Sequence, residues 1–345
     1  MTPPAEDSAT LDLGDLYQDR LDGCCLSPTV LDKLTRLDPV HNVRVIAREY
    51  SGIVASASFC HWFCTNTSSV IAAWLMYVLT TMFIGARQHT FAILQHDAAH
   101  YRLFPNRLCN NIVAEALLAW PILLSNEWFR KYHFAHHRHV GNAKDGNRQQ
   151  YSTHTPQGEW KKHWKFPRSS TTDFAAWAIP RLAGFGGMVY FLRFYGRIWR
   201  STSTKYRGAA LVYYGCLYNV IQVMQMGQVV VQYWFVPLFT WFIAINILRI
   251  VAEHCAVKQD PGSANNFFNH TRTVIPSTFD KIFVVPINVS YHVEHHLYPQ
   301  VPWYRLLELH EELMKFAVYQ EKVHITESYY TVVAKELIVT KGKAA

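Results

Sequence analysis

Hydrophobic residues along this chain gather in two long blocks, flanked and separated by strongly polar stretches. Residues 50–86 contain no Lys, Arg, Asp or Glu, and the same holds for residues 208–248. Each block is too long for one bilayer crossing and suits two spans of roughly 17–20 residues joined by a turn. In the first block the polar run Thr65, Asn66, Thr67, Ser68 and Ser69 supplies the turn. Residues 70–103 are then predicted to form one helix that leaves the lipid and projects beyond it, stopped by Pro105. In the second block Gln225, Gly227, Gln228 and Pro237 lie near the middle, with Tyr233 and Trp234 as interfacial anchors. A shorter apolar run at 111–125 holds Glu115 and Pro121 and is predicted to be interfacial or re-entrant.

The polar stretches predict less. Residues 1 to 45 read as a lead-in with no basic start and apolar run, so no signal peptide is expected. A short amphipathic helix is predicted at 27–37, with Ser27 as cap, Pro28 just inside and Asp38-Pro39 as stop. Residues 126–207 are rich in Lys, Arg, His and Trp. Within them an amphipathic piece at 174–199 carries Arg181, Arg193 and Arg197, with Arg200 just beyond, as expected of a helix lying at lipid headgroups.

Charge sharpens this layout. The formal net charge is +8, but the Lys and Arg residues flank the apolar blocks while the turns inside them carry none. The positive-inside rule then puts both termini and every polar segment on the cytoplasmic side. Topology thus absorbs the basic excess, and no nucleic-acid partner is expected. Charged residues make up only 17% of the chain, low for a soluble protein. Its seven cysteines form no C-x-x-C pair, as for free thiols in a reducing compartment or in lipid.

Histidine spacing carries the chemistry. His96 and His100 form an i, i+4 pair on the extension of the second span. His133, His136 and His137 repeat as an i, i+3, i+4 triplet, and His292, His295 and His296 repeat it again. These spacings put each set on one helix face, and imidazole is the commonest side-chain metal ligand. Ser125 or Asn126 is predicted to cap the second helix, which stops near Gly141. Asn288 or Ser290 is predicted to cap the third, which stops at Pro299. Eight imidazoles exceed the four or so that one ion takes, which implies two metal ions. His254, at the end of the fourth span, is placed as a ninth ligand. His139 points off the metal face and His89 reads as a hydrogen-bonded core residue. Metal-bound imidazoles donate their second N–H to a carboxylate or carbonyl, and Asp97, Glu253 and Glu294 are the candidates beside them.

These boxes resemble those of the membrane fatty acid desaturase superfamily: H-x3-H, H-x-x-H-H and a third H-x-x-H-H, set around two hairpins. About thirty residues separate the first two boxes and about one hundred and fifty the last two, a spacing similar to acyl desaturases. The stretch at 288–304 looks like bacterial-type members, and the resemblance covers residues 50–310. It implies two iron ions held by His96, His100, His133, His136, His137, His292, His295 and His296. His254 matches an extra ligand of that family. It further implies O2 as co-substrate, two electrons per turnover and a fatty acyl or other lipid substrate in an apolar tunnel. There is no His-Pro-Gly-Gly haem motif, so the electrons are expected from a separate ferredoxin or cytochrome b5 with a reductase. His292 stands where front-end members have glutamine, and the H-x3-H first box differs from the H-x4-H of acyl-CoA Δ9 enzymes.

The expected fold is thus an all-α membrane protein, two transmembrane hairpins (four spans, at about 50–86 and 208–248) under a cytoplasmic helical cap that carries the boxes. Residues 1–49 are expected as the lead-in, 50–310 as the membrane domain and 311–345 as a cytoplasmic tail. The expected location is a bacterial inner membrane or the endoplasmic reticulum, with boxes and termini cytoplasmic. The expected activity is desaturation of an acyl chain. A hydroxylase, ketolase or oxidative decarboxylase of a lipid or carotenoid fits the same boxes, and a histidine-rich metal transporter is a third reading.

Overall fold

A computed structural model describes residues 24–141, 144–147, 170–257 and 267–338. The first part of the lead-in, the end of the tail and part of the polar stretch at 126–207 lie outside the described residues. The described chain is mostly helical.

Helix α1, Pro28–Thr35, has the Ser27 cap and the proline in its first turn. Asp38-Pro39 does more than stop it. Asp38 caps α2, Pro39–Asn66, which therefore starts well before the charge-free block. Three residues later Ser69 caps α3, Val70–Ala99, where Val70 opens a helix that runs to the first histidine box. His100 is its last cap residue, so the helix ends before Pro105, and Tyr101 follows with a positive φ of 57°.

The 111–125 run is a helix that changes gauge. α4, Arg107–Val113, continues as a π-helical turn, Ala114–Ala119, and a 3-10 turn, Trp120–Ile122. The chain then bends by 92° into α5, Asn126–His139, which is capped by Ser125. After the undescribed stretch, α6, Thr171–Leu182, and α7, Phe185–Ser201, break at Gly184 with φ 86°. The amphipathic piece is therefore two helices. α8, Thr204–Val223, leads through a tight turn to α9, Gly227–His254.

Pro237 lacks an N–H and stands inside α9, where the helix widens into π turns at Val231–Phe235 and Leu238–Phe242. Backbone oxygens near that irregularity are taken by neighbours. Tyr77 donates to Gln232 O at 3.0 Å and Gln88 Nε2 to Trp234 O at 2.9 Å. Such partners are what an irregular helix in an apolar setting needs.

α3 is central. It packs on α2, on the π turn at Ala114–Ala119, on α5 and on the second half of α9. Two helices, α3 and α9, are long and apolar enough to cross a membrane, or three if α4 and its continuation with α5 form one broken span. Large apolar side chains stand outward on these elements, Ile71 at 74% exposure and Val223 on α8 at 81%. Exposed apolar surface on this scale marks contact with lipid or a partner.

Beyond α9 come strand β1, Thr273–Ile275, then α10, Thr278–Phe283, and α11, His292–Leu297, followed by α12, Leu306–Leu313, and α13, Ala317–Lys322. Strand β2, Ile325–Glu327, pairs parallel with β1. The stretch read as a tail thus packs onto the core, with Tyr319, Tyr329 and Leu337 buried.

Candidate metal centre

The eight histidines singled out by spacing, and His254 singled out by its place at the end of an apolar block, converge. α3 delivers His96, with His100 at its end; α5 delivers His133, His136 and His137; α9 ends on His254; α11 carries His292, His295 and His296. Each of these rings is buried. They sort into two groups whose ring nitrogens lie within 4.8 Å of one another, His96, His100, His133, His137 and His295 in one, His136, His254, His292 and His296 in the other. His89 lies outside both groups, buried, with its Nδ1 2.8 Å from Val284 O. His139 is half-buried and also outside them.

Within the first group Nε2 of His133 is 2.8 Å from that of His100 and 2.9 Å from that of His137, and His137 is 3.0 Å from His295. In the second, His292 is 2.9 Å from His254 and 3.1 Å from His296, and His136 is 3.2 Å from His296. A neutral imidazole has one N–H and one lone pair, so nitrogens converging on a common point satisfy each other only in alternation. A cation at that point takes every lone pair at once. Among the described residues neither ring nitrogen of buried His96 has a hydrogen-bond partner, although the Asp97 carboxylate is 3.6 Å away. An all-nitrogen donor set suits a first-row transition ion, so these residues fit two such ions.

Burial holds the rings outside the long helices in their neutral, ligating form. His292, His295 and His296 lie well below the ordinary histidine value, through burial first and neighbouring imidazoles next. His100 is pushed down to about 3 by burial and then by the Arg102 and Arg130 charges.

The outer partners of the rings include two that no histidine spacing marks. His136 donates from Nδ1 to Asp145 at 2.7 Å, a carboxylate in the loop after α5 that also accepts from Gly141 N and Asn147 N. Burial would lift the Asp145 carboxyl, but His136 beside it holds it below its usual value. His254 donates from Nδ1 to His270 O at 2.9 Å. Of the three expected acids, Asp97 lies 3.6 Å from His96 and accepts from Trp303 N, and Glu253 lies 3.6 Å from Nδ1 of His292. Glu294 instead turns to Thr273, Tyr319 and His310. The predicted caps Asn288 and Ser290 do not cap α11, whose N-terminal flank is Tyr291 with no side-chain bond. Asp145 and His270 carried no spacing signal, since Asp145 comes from the loop after α5 and His270 from the end of a short 3-10 turn, Phe267–His270.

A cleft opens onto the centre. His96, His133, His136, His254 and His292 line it together with Ile122, Trp128, Phe191, Phe242 and Ile250, and with the polar side chains of Asn246 and Arg249.

The protein is thus mostly helical, with apolar helices of membrane-crossing length and a buried nine-histidine centre, able to hold metal ions, at a largely apolar cleft. The fatty acid desaturase family profile matches residues 72–328, and the chain belongs to that family. It is also 23% identical, over 312 residues covering 86% of this chain and 82% of the relative, to the dihydrorhizobitoxine desaturase of Bradyrhizobium elkanii. Family and relative together support an oxidoreductase of the desaturase type.

Proposed function

We propose that the protein is an integral-membrane di-iron desaturase that uses O2 and two electrons to introduce a double bond into a fatty acyl chain. The observation that carries this reading is the pair of buried histidine groups, five and four, at the cleft. Bound iron would supply the oxidising power to break unactivated C–H bonds, chemistry no side chain here provides. The residues do the rest. His96, His100, His133, His137 and His295 would hold one ion, and His136, His254, His292 and His296 the other. Asp145 and the His270 carbonyl hold His136 and His254 in the tautomer that aims Nε2 inward. Phe191, Phe242, Ile122 and Ile250 offer the apolar wall an acyl chain needs, and a chain bound against it would keep bulk water from the centre.

The membrane arrangement in this reading is two hairpins, α2 with α3 and α8 with α9. That makes four spans with the histidine-bearing helices and both termini on the cytoplasmic side, as the positive-inside pattern asks. Electrons come from a separate ferredoxin or cytochrome b5 with its reductase.

The test is purified protein in detergent, loaded with iron and supplied with a reducing system, O2 and acyl substrates. Two irons per chain and an alkene product are expected. An alcohol, a ketone or a shortened alkene would move the assignment to a hydroxylase, ketolase or decarboxylase on the same scaffold. Alanine at His136 or His296 should abolish turnover and lower iron content, and full activity in either variant would remove the site assignment.

A further inference from the structure

Two tyrosines of the C-terminal segment end on two of the three buried carboxylates that adjoin centre histidines in the chain. Tyr319 donates its hydroxyl to Glu294 at 2.7 Å. Glu294 stands between His292 and His295 on α11, and accepts also from Thr273 at 2.5 Å and from the His310 ring. Tyr329, one residue past the family match, donates to Glu253 at 3.1 Å. Glu253 directly precedes His254; its other oxygen accepts from Arg249 at 2.8 Å and lies 3.6 Å from Nδ1 of His292.

These contacts matter because α11 cannot hold itself. It has six residues and no side-chain cap, too short to be stable alone, yet its rotation decides that His295 faces one histidine group while His292 and His296 face the other. The tyrosines are themselves held. β2, between them in the chain, pairs with β1, and the buried Arg272 guanidinium binds Glu336 at 2.5 Å.

We propose that the C-terminal segment is part of the metal centre, with Tyr319 and Tyr329 as positioning residues that set α11 and the His254–His292 edge through Glu294 and Glu253. This rests on the two-ion reading above. Glu253 serves only the group of His136, His254, His292 and His296, whereas α11 feeds both groups, so the two tyrosines have separable effects.

The experiment uses full-length, iron-loaded protein in detergent and measures iron per chain and the rate of iron loss to a chelator. Tyr319→Phe and Tyr329→Phe each remove one hydroxyl and keep the ring; Tyr330→Phe, at an exposed neighbour, is the control. Tyr329→Phe should release one ion about tenfold faster and the other at the wild-type rate. Tyr319→Phe should speed the loss of both, and Tyr330→Phe neither. Loss from Tyr329→Phe in a single phase, at the wild-type rate or a raised one, would overturn the proposal, because a general loosening of the fold has no preference between groups. Wild-type protein that binds no iron would overturn the two-ion reading itself, and this inference with it.

Discussion

The loop after α5 depends on Gly141. Its φ is +76°, and a Cβ there would come within 2.3 Å of the His270 ring. Both features demand glycine, and they place Asp145 against His136 and the His270 carbonyl against His254 together. Nothing in the spacing of the boxes announces this, because each contact joins residues of different elements. The boxes were legible for the opposite reason: three and four residues apart on a helix is a local rule, independent of what the helix meets. Titration belongs to this scale. His100, His292, His295 and His296 have folded values pushed below the ordinary 6.5, His100 to about 3, by burial. Above pH 6.5 folded and unfolded chains both carry these rings neutral. Below it the unfolded chain takes up protons that the folded chain refuses, so stability falls as pH falls from about 6.5 towards about 3. The unfolding midpoint of the metal-free protein in detergent should therefore drop between pH 7 and pH 5. An unchanged midpoint would show that these rings accept protons in place.

At the scale of elements, the crossing of α3 and α9 is set by Gly85. A Cβ there would lie 2.8 Å from the Trp241 Cβ and 3.0 Å from the Phe242 backbone N, next to the π turn at Leu238–Phe242. Backbone cannot give way as a side-chain tip does, so Gly85→Ala should cost about 1–3 kcal/mol in reversible unfolding in detergent. Gly215→Ala on α8, where a Cβ would meet nothing within 4 Å among the described residues, should be neutral or stabilise by up to about 1 kcal/mol. Equal effects at the two sites would mean that the helices do not approach as described. The charge-free blocks revealed that helices exist and where they turn, since Ser69 caps α3 as a polar residue between apolar runs should. They did not reveal the early start of α2, because Asp38-Pro39 reads equally as a stop and as an N-cap followed by proline. Nor did they reveal the widened turns of α9, which rely on Tyr77 and Gln88 from another helix.

At the scale of the whole molecule, the orientation reading makes a labelling prediction. Cys25 and Cys109 are exposed and Ser68 lies in the turn between α2 and α3. In sealed inside-out vesicles an impermeant thiol reagent should label Cys25 and Cys109, and a cysteine put at Ser68 only after permeabilisation. The reverse pattern would invert the topology. Here the division between sequence and fold is clearest. The sequence by itself determined the helical class, the two apolar blocks and the three histidine boxes, because hydrophobic runs and i, i+3, i+4 faces are properties of neighbouring residues. It also marked His254 by its place at the end of an apolar block. Only the tertiary structure decided how nine rings divide into groups of five and four, which carboxylate holds which ring, and that Tyr319 and Tyr329 bond to the carboxylates of Glu294 and Glu253 beside the centre. Those are contacts between positions up to two hundred residues apart, made where bent and widened helices meet, and no local pattern encodes them.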